Sequence, residues 1–122
     1  MAYLQLESIS HKHVVGTWDV QECFNVPVSG GALTGITSLH FDESGEFTAD
    51  GHNPVSGSWE LFRENEIIYN PQLRFLKDDA VIASAIITRL SELREDNIYI
   101  ATMTIYFTNG MEFIIQKAEI FG

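Results

Sequence analysis

The first groups along the chain with ligand chemistry are His11 and His13, two residues apart, which in an extended segment would turn both imidazoles towards one metal ion. No further donors complete the set. His40 and His52 stand near separate turns without paired carboxylates, and the single Cys23 has no cysteine neighbour. The expectation is therefore no metal and no cofactor, with Cys23 a small strand residue in a reducing compartment. Ser29-Gly30-Gly31 and Gly35 have the glycine density of a phosphate loop, but no Lys-Ser or Lys-Thr and no helix follows them, so they read as a flexible loop. Glu112 with Tyr99 would make an acid/base pair, yet only their position marks them. Nothing in this inventory amounts to a catalytic constellation, and we expect a protein that is not an enzyme.

The elements that must position these groups are strands. From Val14 onward apolar and polar residues alternate with period two, interrupted by Gly, Asn, Asp and Pro clusters. Trp18 and Val20 alternate with Asp19 and Gln21, and this first strand runs to Phe24 before Pro27. A second strand over 36–41 ends in the turn Asp42-Glu43-Ser44-Gly45, and a third begins at Phe47. After Asp50-Gly51-His52-Asn53-Pro54 comes Gly57-Ser58-Trp59-Glu60-Leu61, then a short strand around Ile67 and Tyr69 that Pro71 closes. The stretch 78–95 is ambiguous: Ile82, Ile86, Leu90 and Leu93 suit a helix, whereas Ile86-Ile87-Thr88 is β-branched, and we assign strand to 81–90. Residues 3–13 are expected to form a short helix closing one end.

Asn109-Gly110 between two apolar runs signals a hairpin, and a two-residue loop would set Phe107 opposite Glu112, Ile105 opposite Ile114, Met103 opposite Gln116 and Tyr99 opposite Ile120. In that register Gln116 points inward, where an unpaired amide needs a partner. Tyr106 and Phe113 form an aromatic pair on the outer face.

Gly16-Thr17-Trp18, then Phe41-Asp42-Glu43-Ser44-Gly45-Glu46-Phe47, then Ser56-Gly57-Ser58-Trp59-Glu60-Leu61 resemble, in that order, the calycin group and more narrowly the small bacterial lipocalin-like domains. The resemblance covers roughly the first half of the chain; the second half matches only as alternating strands ending in a hairpin. It implies one all-β domain over 1–122, an antiparallel up-and-down barrel of about eight strands with a short N-terminal helix. It also implies that the first-strand Trp packs across one end and that a small apolar molecule sits in the lumen. The chain departs from ordinary lipocalins in being shorter, and in having no clear counterpart of the C-terminal Arg that often stacks on that Trp, Lys117 being the one basic residue of the last strand.

An eight-stranded barrel has room for its own side chains or for one small ligand. The inward candidates are bulky, Trp18, Leu39, Phe41, Phe47, Trp59, Leu61, Tyr99, Met103, Ile105 and Phe107, while Ala83, Ala85, Ala101 and Ala118 would leave space among the later strands. The leading expectation is a non-enzymatic binding module for a small hydrophobic molecule, with Trp18, Phe41, Trp59, Tyr99, Met103, Ile105 and Gln116 around it. The alternative is a plugged barrel that meets a protein, as a homodimer or through its acidic surface on a basic partner.

Composition bounds the partners. Net charge is -10, from 17 acidic and 7 basic residues, so nucleic acid and anionic membranes are repelled. Apolar residues are 45% and charged residues 20%, as in ordinary globular domains, and no run reaches the roughly 20 apolar residues of a membrane helix. The first ten residues carry neither the positive charge nor the apolar block of a signal peptide, so a cytoplasmic home is the default.

Overall fold

The computed structural model describes residues 2–28, 30–62 and 70–120. Its strands are β1 (Ala2–Tyr3), β2 (Gly16–Phe24), β3 (Ile36–Phe41), β4 (Glu46–Gly51), β5 (Val55–Phe62), β6 (Gln72–Lys77), β7 (Ala80–Glu95), β8 (Ile98–Phe107) and β9 (Glu112–Ile120). From β2 to β9 each strand pairs antiparallel with its successor, and β2 pairs with β9, so eight strands close into an up-and-down barrel. This is the all-β barrel that the alternation and the resemblance lead one to expect. Closure leaves no long unpaired edge among the described strands, which is how such a sheet protects its backbone groups. The strand β1 lies outside the ring, on the part of β7 around Ser91 and Glu92.

The N-terminal helix is shorter and more broken than expected over 3–13: a 3-10 turn, Leu6–Ser8, precedes a single helical turn, α1 (His11–Val14). The ambiguous stretch is strand from Ala80 to Glu95, after a turn at Asp78 and Asp79. A register shift between Ile87 and Arg89 explains its helix-like spacing, because a bulge reverses which positions face inward. Before it Ile86 points out, opposite exposed Tyr106, while Ala85 and Ile87 are buried; after it Leu90 is buried. The strand expected around Ile67 and Tyr69 lies outside the described residues. Beyond Pro71 the chain forms β6, a strand that the sequence reading missed, with Leu73 and Phe75 buried between Gln72, Arg74 and Leu76.

The hairpin register differs from expectation by one residue. Its loop is three residues, not two: the N–H of Gly110 donates to the Phe107 carbonyl at 2.9 Å, and the N–H of Phe107 donates to the Met111 carbonyl at 2.8 Å. Gly110, at φ 94°, supplies the left-handed residue that such a loop needs. Ile105 thus faces Phe113, Met103 faces Ile115, Ala101 faces Lys117 and Tyr106 faces Glu112. The physical reason is burial, since this register puts Phe113 and Ile115 inside, whereas a two-residue loop would have turned them out and brought Glu112 and Gln116 in. Phe113 is consequently a core residue and no exposed partner of Tyr106. Ala118 is exposed, so the small residues do not gather around one pocket.

Aromatic rings fill the lumen. Phe41 meets Trp59 edge-on at 5.1 Å and Phe75 at 5.9 Å; Phe75 meets Phe47 at 5.2 Å and Phe107 at 6.2 Å; Phe107 meets Phe113 at 5.0 Å. These spacings are those of favourable aromatic pairs. Gly57 belongs to the same packing problem, because a Cβ there would lie 2.0 Å from the Leu76 carbonyl oxygen, so the Ser-Gly-x-Trp motif lets β5 and β6 approach.

Candidate functional site

The inward positions of β7, β8 and β9 change character towards the α1 end of the barrel. One level is apolar, Leu90, Met103 and Ile115; the next is Glu92, Ala101 and Lys117; the last is Arg94, Tyr99 and Glu119. Ala101 is fully buried, and its small side chain leaves the stems of Glu92 and Lys117 room on either side. Alternation that builds a dry core further along the strands thus delivers a ring of polar groups at their ends.

The turn α1 sits over that end. A helix leaves its last carbonyls without partners, and here two side chains of the barrel take three in succession. The indole N–H of Trp18 donates to the Val14 carbonyl at 2.7 Å, and the Lys117 ammonium donates to the carbonyls of His13 at 3.1 Å and Val15 at 2.8 Å. The same ammonium lies 4.9 Å from the Trp18 ring centre. Trp18 is completely buried and Lys117 is only 4% exposed, so this is an interior clamp. Burial pushes the Lys117 amine below its ordinary range, with Glu119 and Glu92 acting against that.

A cleft of about 430 Å³ opens beside the clamp, lined by Lys12, His13, Val15, Glu92, Arg94, Tyr99, Lys117 and Glu119. Three of the chain's 7 basic residues meet there, on a protein whose net charge is -10. The Tyr99 hydroxyl donates to Glu92, and the Arg94 guanidinium lies 4.5 Å from the Tyr99 ring centre and 3.9 Å from the Glu92 carboxylate. Burial, followed by the bond to Glu92, pushes the Tyr99 phenol far above its ordinary value, so it stays protonated. Burial lowers His13, against the pull of Glu92. The Nδ1 of His13 accepts the N–H of Ser10 at 3.0 Å, which leaves the proton of the neutral ring on Nε2. The cleft therefore carries N–H donors and carboxylate acceptors around one aromatic ring, the equipment for holding a small molecule that has a polar head.

The expected site residues separate into three groups. Phe41, Met103 and Ile105 are wholly buried in the packed lumen, and Trp59 is nearly so, its indole N–H donating to the Asp42 carbonyl at 3.1 Å. Trp18 and Tyr99 lie at the α1 end, one in the clamp and the other lining the cleft. Gln116 is corrected: the shifted register puts it half-buried on the outer face, opposite Asp19 and Thr102, and Lys117 takes the inward place assigned to it. The pairing of Glu112 with Tyr99 does not arise, since Glu112 lies at the hairpin end of β9 opposite Tyr106.

His11 and His13 lie on a helical turn, about 200° apart around it, and face different neighbours. The His11 ring lies 4.9 Å from that of Trp59, and no group of three metal-ligating side chains occurs among the described residues. His40 is tied to the Thr17 hydroxyl at 2.7 Å on the outer face. Cys23 is exposed on β2. Sequence reasoning missed Glu92, Arg94, Lys117 and Glu119. The signal available was the run Phe113, Ile115, Lys117, which shares one strand face.

No helix among the described residues is long and apolar enough to cross a membrane. In comparison with known proteins, no family model, no curated protein and no solved structure matches this chain.

Proposed function

We propose that the protein is a non-enzymatic, lipocalin-like binding module that holds a small molecule at the α1 end of its barrel. The observation carrying this reading is the half-open cleft of about 430 Å³ in which Tyr99 and the inward-facing Glu92, Arg94, Lys117 and Glu119 meet His13. The clamp supports the family resemblance, because Lys117 on Trp18 occupies the place for which the resemblance supplies an Arg. With rings packed along the lumen, an apolar body reaches no deeper than Tyr99 and the Lys117 stem, and the polar head meets Arg94 and the Nε2 of His13. Native mass spectrometry of protein purified from its own source, repeated after denaturation and organic extraction, tests this. Release of one stoichiometric small molecule is the expected result; a native mass equal to the bare chain, with nothing extracted, counts against it.

A second reading, a plugged barrel that meets a protein, is favoured by the outer face around Glu112. Phe24 and Tyr106 flank that residue on neighbouring strands, both exposed, and exposed Val26 and Val28 follow. Sedimentation equilibrium separates the alternatives here: a dimer that Tyr106→Asp dissociates supports this surface, and a monomer at all concentrations removes the homodimer.

A further inference from the structure

Ser10 and His13 stand in the spacing of a capping box, in which the residue three places after the cap usually takes the cap's own N–H on a Glu or Gln side chain. Here the acceptor is a histidine. The N–H of Ser10 donates to Nδ1 at 3.0 Å, and this bond exists only while Nδ1 carries no proton. An imidazolium has two donors and no acceptor. The Ser10 hydroxyl, 3.3 Å from Nδ1, can turn to accept from the charged ring, but the backbone N–H cannot.

What this bond holds in place is small. The turn α1 has four residues, too few to persist without outside contacts. Its carbonyls at 13, 14 and 15 are the ones gripped by Lys117 and Trp18, and Val14 beneath it is fully buried. Unwinding the N-terminal half of such a turn displaces the carbonyls that the clamp grips.

We infer that the cap over the barrel end is acid-labile: protonation of His13 removes the acceptor of the Ser10 N–H, loosens α1 from Lys117 and Trp18, and opens the cleft. The groups facing His13 are Lys12 on α1, Glu92 and Arg94 on β7, Tyr99 on β8, and Lys117 and Glu119 on β9. Burial, Lys12 and Lys117 disfavour the charged ring and prevail over Glu92 and a backbone hydrogen bond with Ser10, which favour it. The closed cap therefore binds a proton less readily than the released one, whose histidine has the ordinary value of 6.5. By linkage the closed form keeps its full advantage above that value and loses it as the pH falls through and below it. This inference names the regulation of the proposed binding site and rests on that reading only in making a ligand the thing released.

Amide hydrogen exchange on the full chain without added ligand, between pH 7.5 and 5 and corrected for intrinsic rates, tests the opening independently of any ligand. Peptides over 9–15 are expected to lose up to roughly tenfold in protection per pH unit as the pH falls from 6.5 towards the titration of His13 in the closed chain, which histidine NMR locates, and to level off below it, while peptides from β4 and β8 stay unchanged. His13→Gln supplies a capping-box acceptor that does not titrate, so in that variant 9–15 is expected to stay protected at pH 5. Opening of the variant at the same pH, unchanged protection of 9–15 in the parent chain, or a uniform loss across all strands would each overturn the inference. A positive result stands even where mass spectrometry finds no ligand.

Discussion

At the hairpin end of the barrel Met111, Phe113 and the Leu33 side chain of the β2–β3 connection are buried with carbon against carbon, whereas at the α1 end the same strands present Glu92, Tyr99, Lys117 and Glu119. The alternation that dries one end puts charges on the other. A seal made of apolar surface carries no titrating group and is indifferent to pH, while one made of N–H bonds to carbonyls depends on which groups hold protons. The two ends thus divide the work: one anchors the fold and the other is able to respond.

Substitutions at matched depth would break this comparison. Phe113→Ala at the hairpin end is expected to cost about 3–5 kcal/mol, the range for deleting a buried ring, with no pH dependence of its own; equilibrium urea unfolding at several pH values measures both. Lys117→Met keeps the stem but leaves the His13 and Val15 carbonyls without their donor, so about 2 kcal/mol is expected, together with faster exchange in α1 and none at the hairpin. Equal exchange at the two ends would mean that the clamp is no separate unit.

Tyr99→Phe removes the bond to Glu92, for about 1 kcal/mol at neutral pH. Its sharper use is in alkali. The folded phenol has a raised pKa, so it contributes stability that is complete below 10.0 and lost as the pH rises beyond that value, and the variant should lack this loss. Lys117 acts in the opposite sense: its lowered value makes the ammonium costlier in the fold than out of it, so its contribution improves as the pH rises towards 10.5. The smallest effect is assigned to Gln116→Leu. On the outer face, within weak reach of Thr102 at 3.5 Å, it should change stability by less than about 0.5 kcal/mol. A loss as large as that of Lys117→Met would return Gln116 to the interior and undo the register.

Much of the fold was legible because it follows from local rules. The edges of β3, the Asp42 to Gly45 turn and the inward set Tyr99, Met103, Ile105 and Phe107 need only a period of two and the turn chemistry of Asp and Gly. The bulge in β7 was not legible, since a single reversal of phase imitates helical spacing. Nor was β6, where Leu73 and Phe75 alternate with Gln72 and Arg74 for only two repeats before Leu76 breaks the pattern, directly after a proline. For the site, Trp18 and Tyr99 were named from pattern and resemblance, but Glu92, Arg94 and Glu119 are ordinary charged residues until closure brings β7, β8 and β9 to one rim.

By itself the sequence determined that this chain makes strands, where most of them turn, and which face of β2, β3, β4, β5 and β8 holds the large apolar side chains, because alternation and turn propensity act over a few residues. Only the tertiary structure decided whether Lys117 or Gln116 enters the barrel. That choice turns on one residue of loop length, and the loop is selected by the apolar area that Phe113 and Ile115 bury against strands far away in the chain.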